Sequence, residues 1–128
     1  MFGKNKLKKV LIVEDDALLA QVLVRAFVDE KFEVLNITDG LAVLDATKRF
    51  KPDAILLDLI LPGLDGFAVL KQLKADVQTS HIPVVVVSNL DDVADVKSAK
   101  VLGAEEFFIK ANTKLEKIVN FVKGRTNV

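Results

Sequence analysis

The sequence holds 128 residues, 51% of them apolar, enough for one domain with a core of its own. Lys plus Arg and Asp plus Glu number 18 each, so no net field draws the chain to nucleic acid or an anionic membrane, and the lack of cysteine excludes disulfides and thiolate metal sites. The basic start (Lys4, Lys6, Lys8, Lys9) is followed by only Val10 to Val13 before Glu14, too short for a signal-peptide core, and no apolar run approaches the roughly 20 residues of a membrane span. A soluble, cytoplasmic protein is the expectation.

Lys9-Val10-Leu11-Ile12-Val13 is β-branched and continuously apolar, as suits a strand covered on both faces, and it runs into Glu14-Asp15-Asp16. Leu18, Leu19, Val22, Leu23, Ala26 and Phe27 recur at helical spacing and predict a helix over 16–29 with Asp16 as its N-cap. Residues 32–37 alternate enough for an edge strand, Thr38-Asp39-Gly40 turns the chain into a helix over about 41–50, and Pro52 ends that helix. Asp53-Ala54-Ile55-Leu56-Leu57-Asp58 is a buried strand that delivers a carboxylate to a loop, where Pro62 and Gly63 stop its continuation.

Phe67, Val69, Leu70 and Leu73 predict a helix to about Ala75, and the polar loop 78–81 holds His81, the sole histidine. Residues 82–88 are the most strongly β-forming run. A polar helix over 91–102 follows, with a thin apolar stripe through Val93, Ala94, Val96, Val101 and Leu102 and with Gly103 as its C-cap residue. A strand over 106–110 and a helix from Leu115 to near Gly124 close the pattern. With only a few residues beyond that helix and no output domain, the chain is expected to act by docking or to be an excised fragment.

Five strands alternating with five helices predict a single doubly wound α/β domain with helices on both faces of a parallel sheet. In the order 2-1-3-4-5 the strand order reverses between strands 1 and 3, and the crevice opens at their carboxyl ends. Those ends carry Glu14, Asp15 and Asp58, while strand 4 ends in Ser88 and strand 5 in Lys110. Two carboxylates at about 4 Å repel by roughly 4 kcal/mol at an effective dielectric of about 20, so a cation is expected among them. Oxygen ligands without His or Cys favour a hard ion such as Mg²⁺. An Asp beside Mg²⁺ and a Lys suits phosphoryl transfer: Lys110 neutralises the transferring group, Ser88 hydrogen-bonds its oxygen, and Asp58 becomes an aspartyl phosphate.

Val-Glu-Asp-Asp at 13–16, Leu-Asp-Leu-Ile-Leu-Pro-Gly-Leu-Asp-Gly at 57–66, Val-Val-Ser-Asn at 86–89 and Gly-Ala-Glu-Glu-Phe-Phe-Ile-Lys at 103–110 together resemble a response-regulator receiver domain of two-component signalling, over residues 7–123. The resemblance implies a flavodoxin-like fold and Asp58 as acceptor of phosphate from a histidine kinase or phosphotransfer protein. It implies Asp15 as a direct Mg²⁺ ligand, Glu14 acting mostly through a metal-bound water, and the Ile60 carbonyl as a further ligand. Ser88 and Phe107 become switch residues with Lys110 beside them, and the fourth helix, fifth strand and fifth helix become the face that a downstream partner reads. The resemblance implies a signalling domain rather than an enzyme, one that promotes its own phosphorylation and slow dephosphorylation; a monomer or a phosphorylation-dependent dimer is expected.

These residues also have ordinary structural readings. Asp16 and Asp65 serve as helix caps by position, Ser88 can cap the fourth helix, Lys110 can snorkel at the sheet rim, Phe107 can be a core aromatic, and His81 reads as a solvated loop residue. Two other functions share features with the sequence. An FMN binder uses the same sheet order, but Glu14-Asp15-Asp16 repels its phosphate; a Mg²⁺-dependent phosphohydrolase clusters carboxylates, but needs a second general acid near Asp58. A receiver that only binds is a third reading, which the retention of Asp15, Asp58, Ser88 and Lys110 argues against. The sequence departs from the family at Ala111, where proline after a cis bond is usual; a trans Lys110–Ala111 bond is expected, because cis before a non-proline costs about 2.5–4 kcal/mol.

Overall fold

The computed structural model describes residues 6–127, so Lys4 of the basic start and Val128 lie outside the described residues. Strands β1 (Lys9–Val13), β2 (Glu33–Ile37), β3 (Ala54–Leu57), β4 (Val84–Ser88) and β5 (Glu106–Ile109) form a parallel sheet in the order β2-β1-β3-β4-β5. Helices α1 (Ala17–Asp29), α2 (Val43–Phe50), α3 (Gly66–Ala75) and α4 (Val93–Val101) make the crossovers, and α5 (Leu115–Thr126) follows the last strand. Short 3-10 turns at Gly40–Ala42 and Lys110–Asn112 lead into α2 and α5.

Alternation along the strands divides the core into two layers. Val10, Ile12, Ala54, Leu56, Val85, Val87 and Phe108 face α1 and α5, meeting Leu23, Phe27, Ile118, Val119 and Val122. Leu11, Val13, Ile55, Leu57, Val84 and Val86 face the other way, toward Val43, Val69, Leu70, Leu73 and Ala99. Both faces of the inner strands are therefore dry, which is why β1, β3 and β4 read as unbroken apolar runs.

Local chemistry sets the element boundaries. Asp16 Oδ1 accepts from the N–H groups of Leu18 and Leu19, and Asp65 Oδ1 from that of Ala68, so both acids are the expected caps. α4 starts later than the sequence pattern predicts, at Val93, because Asp92 takes the N-cap and accepts from Ala94 N–H. That leaves Ser88 without the capping role. Residues 82 and 83 precede β4: Pro83 has no N–H for the ladder, although its carbonyl accepts from Ile55.

Two expectations about the later helices need correction. In α4 only part of the predicted apolar stripe faces inward: Val96 and Leu102 pack against the core, Val93, Ala94 and Val101 are exposed, and Ala99 is the buried residue. A small side chain there lets α4 lie close over the sheet, which leaves Val93 and Val101 turned to solvent. α5 continues through Gly124 to Thr126, with Thr126 Oγ1 donating to Val122 O, and Asn127 ends it in the left-handed conformation. Gly103, at φ +115°, follows α4 as expected.

Candidate functional site

The parallel ladder continues one step past β1 and β3, and this extension places the acids. Glu14 N–H donates to Ile37 O at 3.0 Å, and Asp58 N–H donates to Val13 O at 3.0 Å. Each acid is thereby held at the carboxyl edge, where the strand order reverses. Gly66 closes the loop below them: its N–H donates to Leu59 O, and a Cβ on it would lie 2.4 Å from the carbonyl oxygen of Asp58. Only glycine lets α3 start this close to the Asp58 backbone.

Glu14 and Asp58 are buried, with 2% and 5% exposure, whereas Asp15 is open to solvent. Carboxylate oxygens of all three lie within 4.8 Å of one another. Lys110 reaches across from the end of β5 and places Nζ 2.8 Å from both Glu14 Oε1 and Asp58 Oδ2. The remaining oxygens are also engaged, Glu14 Oε2 by Asp16 N–H at 3.1 Å and Asp58 Oδ1 by Ile60 N–H at 3.2 Å. Lys110 is thus an ion-pair partner of two buried acids rather than a lysine resting at the rim.

Burial pushes the Glu14 carboxyl above its usual range, although hydrogen bonds from Lys110 and Asp16 pull it back, and the Asp58 charge adds to the rise. For Lys110, burial works against the ammonium, but hydrogen bonds from it to Asp58 and Glu14 outweigh burial and hold the ammonium above its ordinary range. A carboxyl raised in the folded state binds its proton more readily there than in the unfolded chain. Ionised Glu14 therefore costs stability above its folded pKa, and that cost disappears as pH falls toward the unfolded value. Accordingly, Glu14→Gln has a higher urea midpoint than wild type at neutral pH in a chelator, and the gap closes on acidification; equal midpoints at neutral pH would contradict this.

The other site residues predicted from sequence occupy neighbouring positions. Ser88 is fully buried at the end of β4, and its Oγ accepts a long hydrogen bond, 3.4 Å, from Leu90 N–H. Phe107 is buried in the core layer that also holds Val86, Ala99 and Ala104. Ile60, two residues past Asp58 in the loop, is 56% exposed, and Leu90 is half-buried. His81 lies in the loop before β4, beside Lys48, Lys51 and Asp53, away from the acids. The peptide bonds of the described residues are trans, Lys110–Ala111 included. The sequence reading missed Asn89, whose Oδ1 accepts from Ala111 N–H at 3.2 Å; its signal was a side-chain acceptor next to Ser88 and an N–H in place of proline at 111.

Three oxygen-bearing acids against one ammonium leave a formal excess of two negative charges when all are ionised, a donor set that fits a hard divalent cation. The acids lie where the strand order of a doubly wound α/β sheet reverses, the place at which such sheets open a crevice. The family model of the response regulator receiver domain matches residues 10–123, and the chain belongs to that family. It is therefore a signalling domain of two-component response regulators.

The DNA-binding response regulator MtrA of Mycobacterium tuberculosis is 37% identical over 103 residues, which cover 80% of this chain and 44% of MtrA. The chain spans less than half the length of that relative. Among solved structures, the phosphorylated cyanobacterial phytochrome response regulator RcpA aligns with a TM-score of 0.78 at 31% identity, covering 93% of this chain and 91% of RcpA. The Mn²⁺-bound form of the response regulator Rcp1 aligns at 0.77 and 28% identity, covering 91% and 90%.

Proposed function

We propose that this chain is a single receiver unit in which Asp58 accepts a phosphoryl group from a histidine kinase or phosphotransfer protein. The observation that carries the reading is the setting of Asp58: a buried carboxylate at the end of β3, paired with Lys110 and within ligand distance of Glu14 and Asp15. In the transfer an Asp58 oxygen forms a bond to phosphorus as the bond from phosphorus to the donor imidazole nitrogen breaks, and the electron pair returns to that nitrogen. Lys110 offsets negative charge on the transferred group, and the Ser88 hydroxyl, free of any helix-capping duty, donates to one of its oxygens.

Asp15, the solvent-facing acid, is proposed as the direct Mg²⁺ ligand, with Asp58 and the Ile60 carbonyl completing the protein oxygens and Glu14 acting through a metal-bound water. The ion, when bound, neutralises charge on the phosphoryl oxygens. The donor set supports a hard divalent cation here, and Rcp1 is known in an Mn²⁺-bound form.

Phosphorylation is proposed to shift the population between two arrangements of one face. Ser88 moves toward the phosphoryl group and Phe107, already buried, settles further inward, changing the surface of α4, β5 and α5. That surface carries an apolar groove of about 670 Å³ lined by Val93, Val96, Val101 and Ile109 with Lys97 and Lys100 on it, suited to a protein partner. Incubation with a small phosphodonor tests the core of this reading. Wild type gains the mass of one phosphate in Mg²⁺ and none in a chelator, and Asp15→Ala requires far more Mg²⁺ for the same gain. Uptake that ignores the chelator would contradict the metal assignment.

A further inference from the structure

The turn that carries Lys110 is pinned from outside the acidic cluster. Residues Lys110–Asn112 form a single 3-10 turn whose N-cap residue, Ile109, makes no side-chain capping bond. Besides the Lys110 contacts with Glu14 and Asp58, two side-chain hydrogen bonds hold this turn. Thr113 Oγ1 donates to Ile109 O at 2.9 Å, which closes the turn on itself. Ala111 N–H donates to Asn89 Oδ1 at 3.2 Å, which ties the turn to the connection between β4 and α4. Asn89 and Ala111 are both exposed, so core packing does not hold them together.

This second bond depends on the residue at 111. Proline has no N–H, whereas the trans peptide of Ala111 presents a donor that only an acceptor can answer, and it fixes which way the Asn89 amide faces. The two partners adjoin the site residues: Asn89 follows Ser88, and Ala111 follows Lys110. A lysine ammonium sits at the end of a flexible four-carbon stem, so its aim depends on how well its backbone is fixed. Freeing the turn would widen the range of positions that Lys110 Nζ visits around Glu14 and Asp58, and a small misplacement of a charge-neutralising group slows a transfer reaction.

We propose that Asn89 is a positioning residue for phosphoryl transfer, its side-chain carbonyl latching the Lys110 turn to the connection after Ser88. The role rests on Asp58 being the phosphate acceptor. With the latch in place, the turn and the Ser88 connection move as one piece.

The test measures the rate constant of phosphate uptake at saturating small phosphodonor and Mg²⁺, together with exchange of the Ala111 amide hydrogen. Asn89→Ala lowers the rate constant roughly three- to tenfold, the size expected for losing one net hydrogen bond from the reacting arrangement. The Mg²⁺ concentration giving half-maximal rate stays unchanged, and the Ala111 amide exchanges faster. In an Ala111→Pro background, which has no donor, the same Asn89→Ala change has no further effect. An Asn89→Ala rate equal to wild type, or an equal slowing in the Ala111→Pro background, overturns the latch and leaves the acceptor reading intact. A wild type that takes no phosphate overturns the acceptor reading and this role with it.

Discussion

Asp58→Asn yields a folded domain that takes up no phosphate from a small phosphodonor. The amide is nearly isosteric, Ile60 N–H keeps an oxygen to donate to, and Lys110 keeps Glu14 as a partner at 2.8 Å, so the carboxyl edge stays assembled. What is lost is the anionic oxygen that attacks phosphorus, and neither nitrogen nor oxygen of a neutral amide replaces it. Removing one of three clustered carboxylates also relieves repulsion, worth up to roughly 4 kcal/mol for a pair at about 4 Å and an effective dielectric of about 20, before the lost Lys110 pair is set against it. Without Mg²⁺ the variant's urea midpoint is therefore no lower than that of wild type. Intact mass after exposure to the donor is the readout, and undiminished uptake would reject Asp58 as the acceptor.

Once formed, the phosphate on wild type is long-lived, and Ile60→Asn combined with Leu90→Glu shortens its life 10- to 100-fold. Hydrolysis needs a water aligned with phosphorus: its oxygen forms the new bond as the bond to the Asp58 oxygen breaks, releasing phosphate and restoring the carboxylate. Ile60 and Leu90 stand two residues beyond Asp58 and Ser88, on the two connections that flank the acceptor. Neither side chain can hydrogen-bond a water. Ile60 lies largely exposed at the site mouth and Leu90 is half-buried, so polar groups at these positions reach solvent beside the phosphate. The expected gain corresponds to about 1.4–2.7 kcal/mol of barrier. Decay of phosphorylated protein in Mg²⁺, with no kinase or phosphatase, compares the two proteins directly; equal decay would place control of water elsewhere, first at the Ala111 turn.

The residues legible from sequence were those whose role follows from local chemistry. Apolar runs too short for helices, ending on Glu14, Asp58 and Ser88, gave the strands and the sheet edge that collects them, and Asp16 and Asp65 announced their helix starts by position alone. Where tertiary packing decides, the pattern misled. In α4 Val96 and Leu102 of the expected stripe pack on the core, yet Val93 and Val101 are out and Ala99 is inside, because close approach favours the smallest side chain. Gly124 looks like a helix stop, but with nothing within 4 Å of an added Cβ it sits in an open stretch of α5 that the Thr126 contact carries onward.

Pairing across the site was also hidden. Sequence brings Lys110 to the correct edge but cannot show that its ammonium spans two buried acids at once, since that depends on the register of β5 against β4 and on the turn after it. The burial of Glu14, which raises its carboxyl, likewise follows from the extra ladder bond to Ile37 rather than from neighbouring residues. Asn89 escaped notice because its partner is a backbone N–H 22 positions away.

Borohydride trapping identifies the acid that carries the phosphate, here proposed to be Asp58. An aspartyl phosphate is a mixed anhydride, so borohydride reduces its carbonyl carbon to an alcohol as phosphate departs, while free carboxylates do not react. Wild type exposed to the phosphodonor in Mg²⁺, reduced, digested and sequenced by mass spectrometry is predicted to contain homoserine in place of aspartate at position 58 and at no other acid. Conversion at Glu14 or Asp15 instead, or a phosphate that survives reduction on Ser88, would contradict the account.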